Sequence, residues 1–163
     1  MVRAVLKVIL VVALVALTAC GGNRGYNGPP VTAIEVHKAD RKMYLLSGNT
    51  LLKTYKIHLG GAPVGPKHFE GDGKTPEGAY LITHRNPNSA YHLSLGISYP
   101  NDADRAYAAT YNLAPGGDIF IHGQTKRVST RGDWTVGCIA VTDRQIEEIY
   151  AMVNPGTVIR IFP

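Results

Sequence analysis

The sequence is poor in several things that would mark common functional classes. Its basic residues are scattered, and the net charge is only +5, so there is no Lys/Arg run of the kind that tracks a nucleic-acid backbone. None of the histidines stands in paired ligand spacing, which argues against a zinc site. The glycines between residues 60 and 78 lack a Gly-Lys-Ser/Thr ending and a following helix, so they do not form a phosphate loop and serve turn geometry instead. There is no internal repeat and no low-complexity tract. The unbroken apolar run at residues 8–17 is shorter than the roughly 20 residues needed to span a bilayer. Cysteine occurs twice and tryptophan once.

What is present fits one domain of ordinary size. Hydrophobic residues make up 45% of the 163, enough for a core, and 18 glycines and 10 prolines point to many turns and a β-rich fold. Arg3 and Lys7 precede the apolar run, as in an export signal. The run leads into Leu17-Thr18-Ala19-Cys20-Gly21. This resembles the bacterial lipoprotein box. The resemblance implies a signal peptide over residues 1–19, lipidation of Cys20, and a flexible tether over 20–30 (Gly21 to Pro30 reads GGNRGYNGPP). It also implies a membrane partner through that lipid. Gly21 in place of Asp would send the chain to the periplasmic face of the outer membrane in a cell that has one. Cys138 is then left without a partner in an oxidising compartment, where a free thiol is either buried or used.

The folded part is expected over 31–163, as a mainly β domain with one or two short helices. Alternation predicts strands at 31–38, 42–47 and 50–59, with Gly48-Asn49 as a hairpin turn. A long loop at 60–78 and a strand at 79–83 follow. Asn101 caps a helix over 101–111, and Asp102 and Asp104 suit its first turn. Residues 118–122 (DIFIH) read as a buried strand ending in a histidine. Thr142 and Gln145 form a capping box for a second helix over 143–153, with Ile146, Ile149, Tyr150 and Val153 on one face. A last strand covers 157–162.

Chemistry concentrates in residues 119–142, IFIHGQTKRVSTRGDWTVGCIAVT. If 119–122 and 138–141 are neighbouring strands, the intervening loop returns Cys138 to the side of His122. A thiol with a pKa of roughly 8.5 is mostly protonated at neutral pH, and an adjacent imidazole can take its proton. Gly137 allows close approach of a carbonyl, and the N–H groups near Gly137 and Cys138 can form an oxyanion hole. Thr135 either bonds within the site or simply suits a strand. Arg131 can bind a carboxylate, or it is a solvated loop charge. Trp134 and Tyr99 read as core residues. His37 and His58 fall in strand patterns, half-buried or at the surface; His68, His84 and His92 fall in or near loops.

The pattern His122-Gly123, a loop, then Thr135-Val136-Gly137-Cys138 resembles the YkuD-type L,D-transpeptidase domain, whose signature is a His, a loop, and Ser/Thr-His-Gly-Cys. The stretches at 72–80 (DGKTPEGAY), 98–101 (SYPN) and 115–119 (PGGDI) extend the likeness over most of 31–163. The resemblance implies a β-sandwich and a thioester mechanism. Cys138 would attack a tetrapeptide stem of peptidoglycan, with His122 as base and acid. The Gly123 carbonyl would orient the imidazole, and no metal or cofactor would be needed. Partners would be stem peptides and wall-attached lipoproteins. Two positions depart from the pattern: Val136 stands where His is usual, and Ala140 where Arg or Asn is usual. The Ala variant looks like a subgroup that includes hydrolases. Transpeptidation therefore ranks first, L,D-amidase or endopeptidase action second, and a non-catalytic wall-binding lipoprotein third.

Overall fold

The computed structural model describes residues 25–124 and 132–163. Among these residues, eight strands and two helices follow in chain order. β1 (Ala33–His37), β2 (Lys42–Ser47) and β3 (Thr50–Lys56) form an antiparallel meander. β4 (Gly78–Ser89) and β5 (His92–Ile97) form a long hairpin. Then come α1 (Asp102–Thr110), β6 (Phe120–His122), β7 (Ile139–Ala140), α2 (Asp143–Met152) and β8 (Val158–Phe162). The strand order is β3-β2-β1-β8-β4-β5-β6-β7.

The meander follows from alternation. Ile34 and Val36 in β1, Met43 and Leu45 in β2, and Ile159 and Ile161 in β8 are buried at every second position. The C-terminal strand inserts parallel to β1, with Ile34 opposite Ile159 and Val36 opposite Ile161. Gly48 takes a positive φ of 55° at the β2–β3 turn.

β4 is the strand that bends the sheet. Residues Gly78, Ala79, Tyr80 and Leu81 pair with β8; from Ile82 onward it pairs with β5, with the register shifting between Ile82 and Arg85. This break gives the strand a second direction. The two ends of the strand order then meet. Beyond β3, His58 N–H donates to Ala140 O (2.9 Å) and Ala140 N–H donates to His58 O (2.8 Å). Thr135 N–H donates to Leu59 O (3.0 Å). The result is the expected β-sandwich with a single continuous core and two short helices.

Both helices carry capping boxes. Asn101 and Asp104 exchange side-chain to backbone bonds at α1, and Thr142 and Gln145 do so at α2. α2 buries Ile146, Ile149 and Met152 and lies against β5 and β6.

Several features differ from the sequence reading. β5 and the outer half of β4 carry no distinct signal, because their pattern is broken by Pro87 and Gly96. His84 and His92 consequently sit in strands rather than loops. Tyr26, within the segment read as a tether, packs partly buried against the core. Cys20 and the signal segment lie outside the described residues.

Candidate active site

β6 and β7 are short, but their pairing is decisive. They run parallel, with Ile121 opposite Ile139 and His122 opposite Ala140. This register places Cys138, two residues before Ala140, alongside the strand that ends in His122. Both residues line one cavity of about 320 Å³, together with Tyr91, Asp118, Phe120 and Val136.

The imidazole is held from three sides. Nδ1 lies 2.5 Å from Gly123 O, so Nδ1 carries the proton and donates to that carbonyl. The Nε2 lone pair is thereby left for the cavity. The Tyr91 ring lies over the imidazole at 4.4 Å between centroids, and the Trp134 ring meets it edge-on at 5.7 Å. His122 is only 3% exposed. Burial pushes its pKa down, and the bond to Gly123 opposes this in part. At neutral pH the ring is an uncharged base.

Gly123 is sterically required. A Cβ there would meet Asp143 Oδ1 at 2.6 Å and Tyr91 O at 2.8 Å. Any side chain would push the start of α2 away from the carbonyl that orients the imidazole.

Cys138 sits at the end of a tight turn. Thr135 Oγ1 donates to Cys138 O (2.7 Å) and accepts from Gly137 N–H (3.1 Å), stapling the turn that carries Cys138. Gly137 has φ +139°, and a Cβ would come within 2.7 Å of Lys74 O. Glycine lets the loop and the Cys138 turn touch backbone to backbone. Because the Gly137 N–H serves Thr135, the N–H groups of Val136 and Cys138 are the donors in this turn left without a partner among the described residues. The Cys138 thiol donates to Asp118 O (3.4 Å). Burial pushes the thiol pKa up; the Phe120 N–H and the Lys67 charge oppose that, and the Asp118 carboxylate adds to it. The pair therefore rests as thiol and neutral imidazole rather than as an ion pair.

Three polar residues that the sequence did not flag, Lys38 buried and Asp72 and Asp133 half-buried, hold the surrounding loops. Lys38 is 2% exposed, and its Nζ donates to Gly65 O (2.7 Å), Thr75 O (3.0 Å) and Glu77 Oε1 (2.8 Å). Asp72 accepts from Lys67 Nζ (2.9 Å) and from the N–H groups of His68, Phe69 and Lys74. Burial works against the Asp72 charge, but these donors outweigh it and hold its carboxyl below the usual range. Asp133 accepts from Arg41 (2.7 and 2.9 Å) and from Leu59 N–H (2.8 Å), tying the nucleophile loop to the first hairpin. For Lys38 and Asp72 the signal was the Gly- and Pro-rich loop itself, since such a loop needs polar side chains to satisfy its backbone.

The remaining expectations are distributed as follows. Trp134 is half-buried and packs on His122 instead of in the core. Tyr99 is a core residue whose hydroxyl donates to Pro115 O (2.9 Å). Val136 is 82% exposed on the cavity rim, whereas Ala140 is fully buried between the His58 and His122 backbones. Arg131 lies outside the described residues. Tyr91 was missed because nothing in the sequence links the β4–β5 turn to a histidine about thirty positions later.

Residues 31–161 match the family model of the YkuD L,D-transpeptidase catalytic domain. YafK of Escherichia coli (strain K12) is 32% identical over 149 residues, which covers 83% of this chain and 55% of YafK. The crystal structure of the helical cell shape determining protein Pgp2 from Campylobacter jejuni superposes with a TM-score of 0.64 at 25% identity, covering 86% of this chain and 51% of Pgp2. Bd1075 of Bdellovibrio bacteriovorus gives a TM-score of 0.60 at 25% identity, covering 85% of this chain and 50% of Bd1075. The chain thus spans about half the length of these relatives. With the fold, the His-Gly and Thr-x-Gly-Cys segments and the family match in agreement, the chain belongs to the L,D-transpeptidase catalytic domain family.

Proposed function

We propose that this chain is a cysteine L,D-transpeptidase that acts on tetrapeptide stems of peptidoglycan. The observation that carries this reading is the pairing of β6 with β7. It brings a neutral imidazole, proton fixed on Nδ1 by Gly123 O, to the same cavity as the Cys138 thiol. His122 Nε2 takes the thiol proton as Sγ attacks the carbonyl of the L-centre of the stem's diamino acid. The Cys138 N–H, without a partner among the described residues, is a donor for the developing oxyanion. The C–N bond to the terminal D-Ala breaks, and the imidazolium returns its proton to the leaving amine. A thioester remains. An acceptor amine then attacks it, His122 takes that amine's proton, and the thiol leaves reprotonated. Cys20 would anchor the mature chain by lipid, facing the wall from the outer membrane in a diderm cell.

A second reading is favoured by one feature. Ala140 and Val136 leave apolar groups where the family pattern has polar ones, and Ala140 is fully buried. Water then replaces the amine at the second step, and the enzyme is an L,D-amidase or endopeptidase that releases peptides or lipoproteins from the wall.

Mass spectrometry separates the readings. The purified full chain is mixed with tetrapeptide muropeptides, with Cys138→Ser as the control. Cross-linked dimers bearing an L,D bond, absent from the control, are the result expected of a transpeptidase. Unchanged tetrapeptides together with cleavage of lipoprotein-linked muropeptides would put the hydrolase first.

A further inference from the structure

The cavity holds a charge that the reaction above does not use. Among the described residues lining it, Asp118 is the one fixed charge; Cys138 and His122 rest neutral, and Asn86, Ser89 and Ser94 are polar but uncharged. Asp118 is exposed at the start of the segment leading into β6. Its backbone φ is +55°, in the left-handed region where glycine fits without strain and Asp is tolerated. Two glycines, Gly116 and Gly117, directly precede it. The chain therefore carries a carboxylate at a position better suited to glycine, on the wall of the cleft. The same residue's carbonyl oxygen receives the thiol of Cys138 at 3.4 Å, so Asp118 is fixed against the nucleophile.

For the thiol, that carboxylate is a disadvantage. It adds to the upward push on Cys138 and disfavours the thiolate. Among the described residues no cation neutralises it. The nearby cation, Lys67, is buried and paired with Asp72 at 2.9 Å, and Asp118 has no ion-pair partner among the described residues. A carboxylate that shares the cavity with Cys138 and has no ion-pair partner among the described residues is explained if the cation it pairs with is brought by a ligand.

We propose that Asp118 forms a subsite for a primary ammonium group beside Cys138 and is a specificity-determining residue of this site. In the proposed reaction, on which this assignment of the ligand rests, that group is the amine acceptor, drawn to the rim as ammonium; it loses one proton to solvent, and the free amine then attacks the thioester and passes its second proton to His122. Water, being neutral, gains nothing from Asp118. The residue therefore tilts the second step toward transfer and away from hydrolysis, an effect that the apolar Val136 and Ala140 do not supply.

The test has two arms, each comparing the full chain with Asp118→Asn. Asn keeps the left-handed backbone accessible and removes the charge, and a thermal unfolding scan checks that folding is retained. The first arm needs no turnover. Cys138 is modified with methanethiosulfonates bearing a trimethylammonium, a neutral methyl or a sulfonate group, each rate divided by that of a free thiol. Dividing by the neutral reagent removes differences in thiolate fraction. One charge on the wall of the same partly solvated cleft makes the native cationic-to-anionic ratio larger than that of the variant by about five- to tenfold. A ratio that is the same in both proteins overturns the subsite, whatever the enzyme does to stems. The second arm measures the ratio of amine transfer to hydrolysis on a tetrapeptide stem with an added primary amine. It should fall in the variant by a similar factor even though the Cys138 thiol becomes more acidic. An unchanged partition removes the role in acceptor choice. A charge preference that disappears in Asp118→Asn, in a protein that turns over no stem at all, upholds the subsite and rejects the transpeptidase reading instead.

Discussion

The two ends of this sheet are built by different means. Around β1, β2 and β8, long registers bury Ile34, Val36, Met43, Leu45, Ile159 and Ile161, and the stability of that region is mainly hydrophobic. Around β6 and β7, the strands are three and two residues long. There the backbone is held by side chains: Thr135 across the nucleophile turn, Asp133 to Leu59 and Arg41, Asp72 inside its loop, Lys38 across three segments. The difference shows how a β fold can present a reactive pair on its edge. Short strands leave room for a cavity, and polar ties supply the precision that continuous pairing would otherwise give.

Variants that strike one end and spare the other put this contrast at risk. The largest effect should come at the catalytic edge. His122→Ala should lower turnover of stem peptides by about 10²- to 10⁴-fold, with little change in the unfolding midpoint. A comparable loss of stability instead would mean that the imidazole is chiefly a packing element. At the other end, Ile159→Ala should cost about 2–5 kcal/mol by emptying a fully buried site. Denaturant unfolding reads that value, while the reactivity of Cys138 toward a neutral alkylating reagent stays near the native rate.

Gly137→Ala tests where the two regimes touch. Its Cβ would press on Lys74 O in a backbone conformation that side chains avoid, so a loss of roughly 1–3 kcal/mol is expected. Turnover should fall along with it, since the nucleophile turn must move. Full activity would show that the loop containing Lys74 gives way without cost.

The smallest effects concern pH. The folded pKa of His122 lies below its ordinary value, so the unfolded chain binds the extra proton first. Its contribution to stability is thus present above roughly pH 6.5 and is lost as pH falls through the ordinary histidine range toward the folded value. In kcat/KM the acid limb should lie below 6.5, and a limb at or above that value contradicts a neutral resting imidazole. For Asp133, burial opposes the charge, but Arg41 and the Leu59 N–H outweigh it and lower the folded pKa. Its share of stability is present above about pH 4 and is lost as pH falls through the folded value. Asp133→Asn should flatten the acid side of the stability profile in proportion.

Much of this molecule is legible in its amino-acid order. Alternation marks β1, β2, β3, β6 and β8, and the Thr142–Gln145 box marks α2, because each of these elements carries its own periodicity or cap. His122 and Cys138 stand out as residues whose chemistry needs a partner. The β4–β5 hairpin is only half legible: its outer part is wet, irregular and interrupted by Pro87, so no period of two survives. Trp134 and Tyr91 escape for a related reason. An aromatic ring packs equally well in a core or on an imidazole, and composition cannot say which.

The sequence by itself determined the class of fold, the placement of caps and turns, and the two residues able to do thiol chemistry, because these depend on neighbours a few positions away. Only the tertiary structure decided that His122 is neutral with its proton on Nδ1, that the Gly137 N–H is occupied by Thr135, and that Asp118, with no ion-pair partner among the described residues, shares the cavity of Cys138. Those facts arise from burial and from contacts between segments far apart in the chain, and such contacts exist only once the sheet has closed on itself.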